Sequence, residues 1–180
     1  MKSATSYSVG TSTKNLVIIA LFVAISFVGS HIRIFGSIAF DSLPGFLAAI
    51  LLGPWYGAAI GLLGHIFTAL VSGFPLSVPI HLVIAVSMGV TMFGFGHTYA
   101  ALNGKVSEAV NLLITGVVGI LLNGPFSLAL SMAALAAIAG SEAALPLLGM
   151  LPVLLLASAA NIVIAFAVFK PLARIWNKAG

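Results

Sequence analysis

The sequence predicts an all-α integral membrane protein: a bundle of six transmembrane helices with both termini in the cytoplasm. Three observations lead there. Of 180 residues, 61% are hydrophobic and 6% are charged, where a soluble domain carries roughly 25% charged residues. Seven basic and three acidic side chains cannot solvate the surface of so short a chain, and so apolar a composition excludes disorder. Finally, when the apolar runs are laid across a bilayer, nearly all the basic residues fall on one side.

The elements follow in order. Residues 1–14 form a polar lead that ends in Lys14. The run Leu16 to Gly29 follows. A basic residue before an apolar stretch has the outline of a secretory signal, but the rest of the chain is equally apolar, so this run reads as the first span, about 15–32. Ser30, His31, Arg33, Ser37, Asp41 and Ser42 make a polar first loop, with Phe35 and Phe40 among them. A second helix, about 43–53, stops at Gly53-Pro54, a dipeptide that breaks helices. It is too short to cross a full bilayer. Trp55 and Tyr56 at that break suit a membrane interface, and a third helix runs over about 55–72. Gly73-Phe74-Pro75 opens a loop before a fourth helix at about 79–101. The fifth, about 106–139, contains Asn123-Gly124-Pro125 and should kink there. The sixth covers about 147–176. All belong to one membrane domain, 1–180.

Six spans put Lys2, Lys14, Lys105, Lys170, Arg174 and Lys178 on one side and only Arg33 on the other. That asymmetry assigns the basic side to the cytoplasm. It leaves Asp41 and Glu142 outside. The pI near 9.8 therefore reports orientation. Seven scattered basic residues form no nucleic-acid patch.

Several chemistries are missing. No acid falls at the middle of a predicted span, where an ion-coupled carrier usually holds one. The nearest approach to a phosphate-binding loop is Gly104-Lys105, which lacks the first glycine and the final Ser/Thr. The chain has no cysteine. The four histidines, His31, His65, His81 and His97, form no metal-binding spacing, and there is no nucleophile elbow to pair with His81 and Asp41. No catalytic residue, metal or cofactor is expected. What remains is polar groups on apolar helices: Asn123, Ser127 and Ser131 share one face of the fifth helix at spacings of four, with Ser77, His81 and Met88 on the fourth, Ser158 and Asn161 on the sixth. They either brace helices or line an outward pocket for a small polar ring.

Short hydrophobic helices with no motor and no ion site resemble the S component of an energy-coupling factor (ECF) vitamin transporter. The stretch Asp41-Ser42-Leu43-Pro44-Gly45-Phe46 is similar to that family's second helix, Leu52-Gly53-Pro54-Trp55-Tyr56-Gly57-Ala58 to the start of its third, and Gly73-Phe74-Pro75 through His81 to its third loop. The resemblance implies a substrate-binding subunit of an ABC-type importer in the plasma membrane of a bacterial-type cell. It implies, as partners, a transmembrane T component and two ATPase subunits, which bind the ATP. It implies a substrate site formed by Phe35, Phe40, Asp41, Phe74, Ser77, His81, Asn123, Ser127 and Glu142, and a docking face for the T component at Ala20 and Ala24, small residues that let another helix come close. The Asp41 to Phe46 stretch looks most like S components for cobalamin precursors, α-ribazole or dimethylbenzimidazole. Hydroxymethylpyrimidine, pyridoxine, pantothenate and cobalamin are the alternatives. A self-sufficient small transporter or channel is the reading from a different class, an intramembrane enzyme a third.

Overall fold

The computed structural model describes residues 13–31, 33–34 and 38–179. Among the described residues the elements are helices joined by turns and one two-residue antiparallel pair, β1 (Arg33–Ile34) with β2 (Ile38–Ala39). The helices are α1 (Thr13–Gly29), α2 (Ser42–Leu51), α3 (Pro54–Ser72), α4 (Val78–Leu102), α5 (Glu108–Leu121), α6 (Ser127–Ala139), α7 (Ser141–Ala144) and α8 (Leu151–Ala179). A π turn, Leu122–Phe126, joins α5 to α6, and a 3₁₀ segment, Leu145–Met150, leads into α8. Among the described residues four stretches are long and apolar enough to cross a membrane: Pro54–Ser72, Val78–Leu102, Glu108–Ala139 and Ser141–Arg174. Leu16–Gly29 and Ser42–Leu51 are shorter apolar helices.

The shortest of these organises the rest. α2 has ten residues, roughly 15 Å at 1.5 Å per residue, about half the hydrocarbon thickness of a bilayer. Eight of its residues, Ser42 and Pro44 through Ile50, are buried. A helix buried on all sides sits at the centre of a bundle, and α1, α3, α4 and α8 all pack on α2. Its Phe46, Leu47, Ala49 and Ile50 form the core with Met88, Met92 and Phe95 of α4 and Ile162 and Ala165 of α8. Phe46 and Phe95 meet edge to face at 4.8 Å, a favoured aromatic geometry.

Close approach rather than apolarity holds these helices, because lipid is as apolar as the side chains. A Cβ on Gly57 would fall on Ala49 of α2, 2.7 Å from its Cα. A Cβ on Gly61 would lie 2.5 Å from Cγ of Met92. The chain turns between α2 and α3 through Leu52 and Gly53, and Pro54 takes a position in the first turn of α3, where its missing N–H costs nothing.

The kink expected at Asn123-Gly124-Pro125 is the π turn. Pro125 has no N–H to give, and its ring crowds the carbonyl four residues back. An extra residue in that turn relieves both. The widened turn buries Asn123 and Gly124. At the other end of α5, Ser107 caps the helix by accepting from the N–H of Val110 at 3.3 Å, and Glu108 sits in the first turn, favoured there by the helix dipole. Glu108 pairs with Lys170 of α8 at 3.1 Å. The α2–α3 turn, the end of α4, the start of α5 and the last turns of α8 thus lie at one end of the bundle, and that end holds Lys105, Lys170 and Arg174.

The sequence places Asp41 in an outer loop; the structure does not. Asp41 directly precedes α2 and is 6% exposed, held between α1 and α3. The hydroxyl of Thr68 on α3 donates to its Oδ2 at 2.5 Å, and Gly64 leaves room for its carbonyl. Because α2 is short, its first residue lies about a turn inside the end of α3. The polar spacing of Ser37, Asp41 and Ser42 reads as a loop in the sequence, but the bundle closes over the last two.

Candidate functional site

α2 fills the core of one half of the bundle only. In the other half, above its first residue, the surrounding helices line a half-open cavity with about 90 Å³ for the centres of water-sized groups, several times what one water needs. Asp41 and Ser42 form its floor. His65 of α3 and Leu76 of the α3–α4 loop bound one side, and Ile84 and Met88 of α4 another. Asn123 of the π turn and Ser127, Leu128 and Ser131 of α6 face them. Leu147 and Met150 of the 3₁₀ segment and Leu154, Ala157 and Asn161 of α8 complete the wall. Apolar walls with a few convergent polar groups are the usual composition of a small-molecule site.

Asp41 anchors a directional chain of hydrogen-bonding groups. The backbone N–H of Leu76 can only donate, so Nε2 of His81 accepts it, at 3.5 Å. With that ring neutral, Nδ1 of His81 carries the proton and donates to Nε2 of His65 at 3.2 Å. Nδ1 of His65 then carries its proton and points at Oδ2 of Asp41, 3.8 Å away, in electrostatic contact though beyond hydrogen-bond length. The two rings lie 5.4 Å apart and nearly parallel, at 23°. The chain thus links the α3–α4 loop to the carboxylate on the cavity floor.

That loop has an unusual backbone. Gly73 ends α3 in the left-handed conformation with φ of 72°, the common role for glycine at a helix end. Phe74 and Ser77 also have positive φ, 52° and 81°, which costs a residue with a Cβ on the order of 1 kcal/mol or more. The ring of Phe74 meets His81 edge to face at 5.8 Å, and the carbonyl of Ser77 accepts from the His81 N–H at 3.2 Å. His81 therefore fastens both strained residues.

On the facing wall, the polar groups both brace helices and line the cavity. The Ser87 hydroxyl donates to the carbonyl of Ile84 at 2.8 Å, so in its 2.7 Å bond with Ser127 the Ser127 hydroxyl is the donor. This ties α4 to α6. Nδ2 of Asn123 donates to Oγ of Ser158 at 2.8 Å, tying the π turn to α8.

The residues expected at the site divide as follows. Asp41, Asn123 and Ser127 line the cavity. His81 is buried directly behind His65, and half-buried Phe74 packs on His81. Phe40 is half-buried beside the end of α1 and is not part of the wall. Ser77 and Glu142 are exposed, Glu142 on α7. Phe35 lies outside the described residues. Among the described residues the apolar wall is aliphatic, so the only ring in it is that of His65. His65, Ser131 and Asn161 are not among the residues that the family resemblance implies for the site. Ser131 and Asn161 are among the polar groups that the sequence leaves open as braces or pocket lining, and both line the cavity. His65 carries no signal beyond being polar in an apolar helix. Ala20 and Ala24 lie on the exposed face of α1 with Val17, Leu21 and Val28.

A family model described as the ECF transporter, substrate-specific component, matches residues 14–173. The chain belongs to that family. As an S component it is a substrate-binding subunit of a membrane importer rather than an enzyme, and membership implies association with the ECF T and ATPase components. No curated protein and no solved structure matches the chain.

Proposed function

We propose that this S component captures a B-group vitamin or vitamin precursor at the outer face of a plasma membrane, in the cavity above α2, and releases it inward only when driven by the T component and two ATPase subunits. The bundle would cross the membrane six times with both termini inside. The observation that carries this reading is the half-open, mostly apolar cavity with a few convergent polar groups, at the end of the bundle opposite Lys105, Lys170 and Arg174. By the positive-inside bias, that cavity faces outward. The best candidate substrate is α-ribazole or its base dimethylbenzimidazole, on the strength of the Asp41 to Phe46 stretch, whose carboxylate forms the cavity floor. A flat, partly apolar ring with a few polar edges suits aliphatic walls and acceptors at either end.

The test is a thermal-shift screen of the purified chain against α-ribazole, dimethylbenzimidazole, hydroxymethylpyrimidine, pyridoxine, pantothenate and cobalamin. A ligand that binds only the folded chain at a hundred times its Kd stabilises it by about 2.7 kcal/mol. Stabilisation by the first two and not the others is expected. Stabilisation by another member reassigns the substrate.

Docking is tested separately. Ala20→Phe or Ala24→Phe puts a ring on the exposed face of α1, away from the cavity. Uptake in cells that co-express the T and ATPase components should fall to background, with ligand affinity within about twofold of the unaltered chain. Lost affinity would place these residues in the bundle's packing instead.

Asp41 favours a second reading. A buried carboxylate joined to two histidines is the kind of group through which carriers couple protons. Uptake by the chain alone, reconstituted in liposomes, would support a self-sufficient carrier and sink the partner-driven one.

A further inference from the structure

Asn161 on α8 is 1% exposed and lines the cavity. The carbonyl of Ala157 can only accept, so the amide faces it with Nδ2, which donates at 2.9 Å. Oδ1 then points elsewhere, and it is buried with no partner in the protein. A buried acceptor without a donor is costly and rare enough in folded proteins to ask for a reason.

The neighbouring groups share its character. The Ser131 hydroxyl spends its hydrogen on the carbonyl of Ser127 at 2.8 Å, and Ser127 spends its own on Ser87. The Ser158 hydroxyl donates to the carbonyl of Leu154 at 2.6 Å, so Asn123 must face Ser158 with Nδ2 and keeps its Oδ1 free of that bond. The α6–α8 wall therefore offers acceptors: Asn161 Oδ1, Asn123 Oδ1 and Ser131 Oγ. Opposite stands the carboxylate of Asp41. Among the described residues no Lys or Arg lines the cavity.

We propose that Asn161 Oδ1 is the specificity-determining acceptor of this site, filled by an N–H or O–H of the substrate, and that the site takes neutral or protonated donor-bearing rings and rejects anions. This rests on the cavity being the substrate site. A carboxylate or phosphate would meet Asp41 and a row of lone pairs with no cation to offset them, which is repulsion in a poorly screened setting. A donor would satisfy Asn161 and lose no protein bond in doing so.

The probes are 5,6-dimethylbenzimidazole, with one ring N–H, its 1-methyl derivative, with none, and pantothenate, a carboxylate. Calorimetric titration of the full chain in detergent should give at least tenfold tighter binding for the first than for either of the others. Asn161→Leu should weaken the first at least tenfold and bring it level with the 1-methyl compound. The empty Asn161→Leu chain should melt no lower than the unaltered one, because the orphaned acceptor is gone. A residue that only braced α8 would behave otherwise. Unchanged affinity in Asn161→Leu, a melting temperature several degrees lower in the empty variant, or preferential binding of pantothenate would each overturn the proposal. If neither benzimidazole binds the unaltered chain, the substrate assignment fails alone, and the melting of the empty chains still decides the role of Asn161.

Discussion

Asp41→Asn should weaken substrate binding by roughly 10- to 100-fold while leaving the melting temperature of the empty protein close to that of the unaltered chain. The magnitude follows from the roughly 1.5–3 kcal/mol that a hydrogen bond to a charged group contributes. The asparagine oxygen can still accept from Thr68, which holds the residue in place now at 2.5 Å. Only the charge at the cavity floor is lost. Asp41→Leu should do more. It removes the acceptor that Thr68 uses, leaving that hydroxyl only the carbonyl of Gly64 at 3.2 Å, and it takes the carboxylate away from the His65 Nδ1 that faces it across 3.8 Å. That variant should lose binding altogether and melt below the unaltered chain, by the roughly 1.5–3 kcal/mol of a hydrogen bond to a charged group. Calorimetric titration reads the first effect and thermal melting the second. Equal affinity in Asp41→Asn would remove the carboxylate from recognition and leave it as a brace between α2 and α3.

Gly57→Val should prevent folding of most of the protein, at a cost of about 3 kcal/mol or more, the upper end for overpacking a close contact. The added Cβ meets the backbone of Ala49 as well as its methyl group. A side chain could swing aside, but two helices joined through Leu52 and Gly53 cannot part without pulling Phe46, Leu47 and Ile50 from the core. Binding should fall with stability, since Asp41 rides on the other end of the same short helix. Gly149→Ala is the matched control, because a Cβ there meets nothing within 4 Å. Size-exclusion profiles and melting curves compare the two. A Gly57→Val chain that melts like the Gly149→Ala chain would show that α2 and α3 do not rely on this contact.

The long helices were legible because length and apolarity alone mark a stretch that suits lipid. The irregularity at Asn123-Gly124-Pro125 was legible as well, since proline's missing donor acts locally. Which face of each helix turns inward was not. On α4, Leu82, Val86 and Val90 are exposed, while Ala85, Met88 and Met92 are buried. Both sets are apolar, so the periodic contrast that reveals a buried face in a soluble helix is absent. The same limit hid His65 and left Asn161 undecided between brace and pocket. Whether a polar group in such a helix braces a neighbour or faces a cavity depends on which residue stands opposite, and that is set by helices distant in sequence. Asn123 and Ser127 do both. Asp41 was misplaced for a related reason: its polar neighbours read as a loop, and only the halfway start of α2 brings it inside.

That halfway start separates two properties of the molecule. Around α2 the helices meet through glycine and alanine, and almost any enlargement there disturbs the whole bundle. Beyond its first residue the helices stand apart around the hollow, and several of the residues they present, Asn123 and Ser127 among them, both face it and hold a neighbouring helix. With the hollow as the proposed substrate site, selectivity could change through a few side chains around it while the interlocked half keeps its shape.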